Sequence, residues 1–162
     1  HHTRFTNITK NGIIAKLGNA GVAIKYNTLS NVGHDDKSHP LYIMAQDAEV
    51  EGNEIEGTEG NGISVRTSAI IRKNIVRNAG KSSICYFSDG VPGFSDTLWI
   101  EENHCDGTGA GRSPIALLAG GGPLVSKYVI ANNTAITHGE KMFFASPEFQ
   151  ATTIEYYGNQ PV

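Results

Sequence analysis

The sequence predicts an all-β chain wound as a solenoid, a parallel β-helix of about six coils with three short strands per coil. Three observations carry that expectation. An apolar residue, two spacers, an Asn, one spacer and a second apolar residue occur together five times: Ile24-Lys25-Tyr26-Asn27-Thr28-Leu29, Val50-Glu51-Gly52-Asn53-Glu54-Ile55, Ile71-Arg72-Lys73-Asn74-Ile75-Val76, Ile100-Glu101-Glu102-Asn103-His104-Cys105 and Ile130-Ala131-Asn132-Asn133-Thr134-Ala135. The successive asparagines lie 26, 21, 29 and 30 residues apart, so the unit is fixed in its core and variable in its loops. An alternating run also returns once per unit, as Gly12-Ile13-Ile14-Ala15, Pro40-Leu41-Tyr42-Ile43, Gly62-Ile63-Ser64-Val65, Ser83-Ile84-Cys85-Tyr86, Pro114-Ile115-Ala116-Leu117 and Lys141-Met142-Phe143-Phe144.

In chain order, residues 1–11 read as an incomplete first coil, in which Asn7-Ile8-Thr9-Lys10-Asn11-Gly12 echoes the stretch from Asn74 to Gly80. The second coil carries a long polar turn over 31–40, and the third is the shortest and most acidic. The fourth ends in an excursion over 88–96. The fifth holds the turn 106–114 and Gly120-Gly121-Gly122-Pro123, and the sixth ends near Gln150. Residues 153–158 begin another copy in which Tyr157 stands for the ladder Asn, as expected of a terminal cap.

Each strand is half apolar, and a single coil cannot bury its apolar face alone, so stacking is required. Stacking like on like at about 4.8 Å gives one inner column of Ile24, Val50, Ile71, Ile100, Ile130 and Ile154, and a second of Leu29, Ile55, Val76, Cys105 and Ala135. At the tight turn, Asn tolerates a left-handed backbone and its amide satisfies turn groups of neighbouring coils. The Asn column is therefore read as structural.

Composition narrows the classes. The formal charge of -3 leaves no basic footprint for nucleic acid, and no stretch approaches the roughly 20 apolar residues of a membrane span. Cys85 and Cys105 fall on different strands, one outward and one inward, so no disulfide is expected between them. The chain opens on His1-His2 rather than Met, which reads as a processed end or a tag remnant and leaves the compartment open. A single domain over 1–162 is expected, with a segment of a longer solenoid as the alternative.

The repeat resembles that of the pectate-lyase-like right-handed parallel β-helix superfamily, shared by secreted polysaccharide lyases, alginate epimerases and phage tailspikes. The resemblance implies a right-handed coil, an extracellular, periplasmic or virion setting, and a saccharide site on the outer face of the strand after the long turn. That face reads Tyr42, Ser64, Cys85, Ala116 and Phe143 in one column, then Lys16, Met44, Arg66, Phe87, Leu118 and Ala145. The Asp-Pro-His run of alginate epimerases and the Arg-x-x-Pro-x-x-Arg run of pectate lyases are absent from the sequence.

Two outward columns of charges alternate in sign, Lys25, Glu51, Arg72, Glu101 and Glu56, Arg77, Asp106, contributing roughly a few tenths of a kcal/mol per pair. Arg66 stands apart, with Met44 and Phe87 as expected neighbours and no acid on its own strand. A uronate lyase or epimerase needs a base beside the carboxylate and a cation to stabilise the resulting anion. The expected catalytic set is therefore His39 or Tyr42 as base and Arg66 as carboxylate clamp, with His34, Asp35, Asp36 and Ser64 binding substrate. No cofactor or metal is expected, although Asp35 and Asp36 invite a test for calcium.

Three functions follow: an acidic-polysaccharide lyase or epimerase; a non-catalytic saccharide-binding or tailspike-like module; or a structural solenoid segment. A homo-oligomer packed through Phe87, Leu118 and Phe143 is the competing use of the same face.

Overall fold

Each coil lays down one strand in each of three parallel sheets. Sheet I precedes the Asn turn and stacks Ala23–Lys25, Ala48–Glu51, Ala69–Arg72, Thr97–Glu101, Lys127–Ala131 and Thr153–Tyr157. Sheet II follows that turn with Arg4–Ile8, Thr28–Val32, Glu54–Thr58, Ile75–Ala79, His104–Asp106, Thr134–Ala135 and Gln160–Pro161. Sheet III follows the longer turn with Ile13–Ala15, Leu41–Ile43, Ile63–Val65, Ile84–Phe87, Ile115–Leu118 and Phe143–Ala145. The result, in a computed structural model describing every residue except His1, Gly107, Thr108 and Ala110, is an all-β solenoid of about six turns. The expectations placed on His1 and on part of the turn 106–114 lie outside the described residues. Pro147–Ala151 forms a short 3-10 turn, and no helix among the described residues is long and apolar enough to cross a membrane.

As far as Ile130 and Ala135 the inner columns stack as the repeat predicts, whereas Ile154, expected on Ile130, does not. Ile24, Val50, Ile71, Ile100 and Ile130 are in register, as are Leu29, Ile55, Val76, Cys105 and Ala135, and all are buried. The second column narrows toward Ala135. In the later coils Tyr86, Tyr128 and Phe149 fill the interior edge to face, with ring centroids 5.4 to 6.0 Å apart. Both cysteines are free, Cys105 in the core and Cys85 on the outward column beneath cover.

The Asn ladder is continuous. Each side-chain amide donates to the Oδ1 of the next Asn, and that Oδ1 also accepts the backbone N–H, from Asn27 through Asn53, Asn74, Asn103 and Asn133. The left-handed backbone belongs to the residue before each Asn, correcting the expectation that placed it on the Asn. Tyr26, Gly52, Lys73, Glu102, Asn132 and Gly158 have φ between 54° and 64°. For the non-glycine members this conformation costs about 1–2 kcal/mol each, and the hydrogen bonds of the following Asn hold it in place. At Gly52 a Cβ would lie 2.6 Å from the Tyr26 ring, so a larger residue there would displace that ring.

Both ends depart from the expected alignment. At the start, Phe5 pairs with Leu29, and the Thr3 N–H donates to Asn27 Oδ1, so Thr3 takes the ladder position. Asn7 instead aligns with Asn31, another left-handed residue (φ 54° and 53°). At the end, Tyr156 pairs with Ile130 and Ile154 with Tyr128, so the sixth ladder residue is Asn159, which accepts from Asn133 N and Nδ2 at 3.0 and 2.9 Å. Tyr157 is not its substitute. In sheet III Phe143 pairs with Ile115 and Phe144 with Ala116. Phe143 and Ala145 therefore pack against the core while Phe144 is outward, reversing the expected faces. A one-residue slip exchanges every face of a strand, and two adjacent phenylalanines conceal it.

Candidate functional site

The site lies where the outer face of sheet III meets the turn from sheet II. A second side-chain ladder runs through that turn: His39 N–H donates to Asn11 Oδ1 (2.6 Å), Asn61 N–H to His39 Nδ1 (3.1 Å) and Ser82 N–H to Asn61 Oδ1 (3.1 Å). His39 thus replaces an amide acceptor with an imidazole. Burial, with Arg66 and Lys81 nearby, holds its pKa down to about 4. With Nδ1 accepting an N–H, the neutral ring carries its proton on Nε2 and presents a donor.

Arg66 is the centre of the outer face. The expectation that it lacks an ion partner is overturned, because Asp89 reaches its guanidinium at 3.3 Å from the turn after Ile84–Phe87. Strand alignment cannot see a partner that arrives from the turn of the next coil. The expected aromatic neighbour is present: the guanidinium carbon lies 4.8 Å from the Phe87 ring centroid, and 5.0 Å from that of Tyr42. Both are cation–π distances, and the Tyr42 ring in turn stacks on His39 at 5.7 Å.

Beside this stack opens a cleft of about 390 Å³ lined by Asp36, Lys37, His39, Asn61, Arg66, Lys81, Ser82, Cys85, Phe87, Asp89, Arg112 and Leu118. Four cations face two carboxylates there, although the chain as a whole is acidic. Lys81 ties the long loop to the fourth coil, donating to the Asp36 carbonyl (2.6 Å) with the Asp36 carboxylate 3.8 Å away. Burial pushes the Cys85 thiol up to about 11, against the pull of Arg66, Arg112 and Lys81, so at neutral pH it is a protonated wall of the cleft.

Of the expected site residues, Asp36, His39 and Arg66 border the cleft. Tyr42 packs on Arg66 and His39 instead of lining it. Ser64 is fully buried, its hydroxyl without a hydrogen bond, and has no surface to offer a solute. His34 is exposed away from the cleft, and its N–H donates to the Thr9 carbonyl. Asp35 turns to Lys10 (2.6 Å), which with Ser38 holds its carboxyl well below the usual range. The two aspartates diverge toward different lysines, and among the described residues no three His, Cys, Asp or Glu side chains gather to hold a metal.

Lys81, Arg112, Asn61 and Asp89 were missed by strand alignment. Lys81 and Arg112 sit in the turns that lead into sheet III, equivalent to the loop 34–39, which lies two coils before Lys81 and three before Arg112. Aligning turns as well as strands is the signal that finds them. No family model, curated protein or solved structure matches this chain.

Proposed function

We propose that the Arg66 cleft binds an acidic polysaccharide, on a solenoid of the pectate-lyase-like kind. The observation that carries this reading is the gathering of Lys37, Arg66, Lys81 and Arg112 around one concavity of a net-acidic chain. A planar guanidinium matches a carboxylate in two-point fashion, and Phe87, on which that guanidinium packs, lines the cleft as an apolar wall. His39 contributes as a neutral donor through Nε2, since its Nδ1 is occupied. That favours binding over lysis: an imidazole with a pKa of about 4 is a weak base.

The test is calorimetric titration with polygalacturonate and with a neutral glycan, at low and high salt. Binding of the acidic polymer alone, weakened by salt and by Arg66→Ala, is the expected result. Equal binding of both polymers, or unchanged binding by Arg66→Ala, removes the proposal. Absorbance near 235 nm, where unsaturated lyase products absorb, decides whether turnover accompanies binding. Light scattering tests the interface alternative, for which a stable oligomer dissolved by Phe87→Glu is the required outcome.

A further inference from the structure

We infer that this chain binds a second copy of itself, the tip of the turn 88–96 of one copy seated in a cleft beside sheet III of the other. That turn leaves sheet III after Ile84–Phe87 and enters sheet I at Thr97–Glu101. Side chains from the two preceding turns on the same edge hold five of its residues in a row. Thr67 Oγ1 donates to the Val91 carbonyl (2.5 Å) and Gln46 Nε2 to that of Pro92 (2.9 Å). The Gly93 N–H donates to Ser68 Oγ (2.8 Å), the Phe94 N–H to Asp47 Oδ2 (2.9 Å) and the Ser95 hydroxyl to Asp47 Oδ1 (2.5 Å). The backbone is thus fixed, yet the Phe94 side chain is 96% exposed, and Val91 on the same turn is 47% exposed. A large apolar side chain on a backbone already held in place loses little freedom on binding, which is what an anchor residue at an interface requires.

The receiving surface must match this tip in charge as well as in shape. Asp89 and Asp96 flank the tip, Asp47 holds it from below, and the turn itself contains no Lys or Arg. A second cleft, of about 350 Å³, has Ala116, Leu118 and Phe144 as its apolar part, and Arg112 and Lys141 as cations against one acid, Glu140. That volume admits a phenyl ring, and Phe144, 46% exposed, offers it an edge-to-face partner. An acidic rim around an apolar tip therefore meets a basic rim around an apolar hollow. The two do not meet within one copy. Arg112, Glu140 and Lys141 lie in turns that enter sheet III, whereas the turn 88–96 leaves it on the opposite edge and is tied there to Gln46, Asp47 and Thr67. Tip and hollow are different surfaces, so each copy carries one of each, and the contact closes as a two-fold pair or repeats along a series. Arg66, Lys81 and Asp36 line the first cleft and not the second, so this contact and the saccharide reading stand or fall separately.

The experiment is sedimentation velocity over a concentration series reaching about 1 mM, with circular dichroism confirming the β fold of each variant. The expected result is concentration-dependent association that Phe94→Asp weakens at least tenfold, as the loss of a buried aromatic anchor does. Phe144→Asp, which puts a carboxylate where the acidic tip arrives, should weaken it as much. Both residues are exposed within one copy, so neither change disturbs the core. A mixture of the two variants should associate again, because the first keeps its hollow and the second keeps its tip. Phe87→Glu, in the first cleft, should leave the association in place, which separates this contact from an interface through Phe87. A chain that stays monomeric throughout the series, or one whose association survives Phe94→Asp, overturns the inference. So does a mixture as monomeric as either variant alone, since tip and hollow would then not be each other's partners.

Discussion

Two turns of this solenoid carry ladders of side chains that accept N–H groups from an adjacent coil, the preceding one in the first ladder and the following one in the second, and only the first is periodic in sequence. Between sheets I and II the ladder is Asn at every step from Asn27 to Asn159, buried nearly throughout. Between sheets II and III the accepting side chains are Asn11, His39 and Asn61, ending on the Ser82 N–H, and loops of unequal length interrupt them. At the first turn each coil satisfies the next in the same way, and nothing is left over for a ligand. At the second, unequal loops let Lys81 reach Asp36 across 45 residues, and cations collect around an open cleft. Regularity serves stability, and its local failure leaves polar groups facing solvent.

The largest expected effect tests the regular turn. Asn74→Ala removes the acceptor of Asn53 N and Nδ2 and the donor to the Val50, Arg72 and Asn103 oxygens. At about 1–3 kcal/mol for each buried group left unpaired, the loss should be about 4 kcal/mol in urea unfolding. Asn132→Ala, at an exposed left-handed residue beside the ladder, should cost only about 1 kcal/mol of backbone strain. Matching urea midpoints for the two variants would break the comparison.

The irregular turn is tested by pH. Folding lowers the His39 pKa from 6.5 to about 4, so between those values the unfolded chain binds a proton that the folded one refuses. This contribution is fully present above pH 6.5 and is lost as pH falls toward 4, by up to about 3 kcal/mol. His39→Asn keeps an acceptor for Asn61 N–H and should flatten that slope. An unchanged pH profile in the variant would show that His39 does not titrate as its burial requires.

Arg66→Ala should cost about 1 kcal/mol through its lost contacts with Tyr42 and Phe87, and should lower acidic-glycan affinity about tenfold. Arg72→Ala should leave affinity intact, since Arg72 pairs with Glu49 and Glu51 on sheet I, away from the cleft. Loss of affinity in Arg72→Ala would indicate non-specific charge attraction.

The smallest effect is at Asp89, whose partly exposed carboxylate competes with a ligand for Arg66 through one 3.3 Å contact. Asp89→Asn should change stability by less than about 1 kcal/mol and raise acidic-glycan affinity about threefold. Weaker binding in this variant would make Asp89 part of the ligand's own contacts.

The sequence by itself determined the winding, the three strands per coil, both inner columns as far as Ile130 and Ala135, and the Asn ladder over its five central members. These are legible because stacking at one coil per step puts chemically equivalent positions in identical surroundings, so the same residue types return. Its reading slipped at Thr3, Phe144 and Asn159, where a terminal coil has a neighbour on one side only and tolerates different residues. The tertiary structure alone decided that Asp89 answers Arg66, that Tyr42 packs behind it, that Ser64 is sealed, and that Lys81 and Arg112 join the cleft. The contacts of Asp89, Lys81 and Arg112 come from turns of different coils. Their lengths do not repeat, so no period in the chain encodes which side chains they bring together.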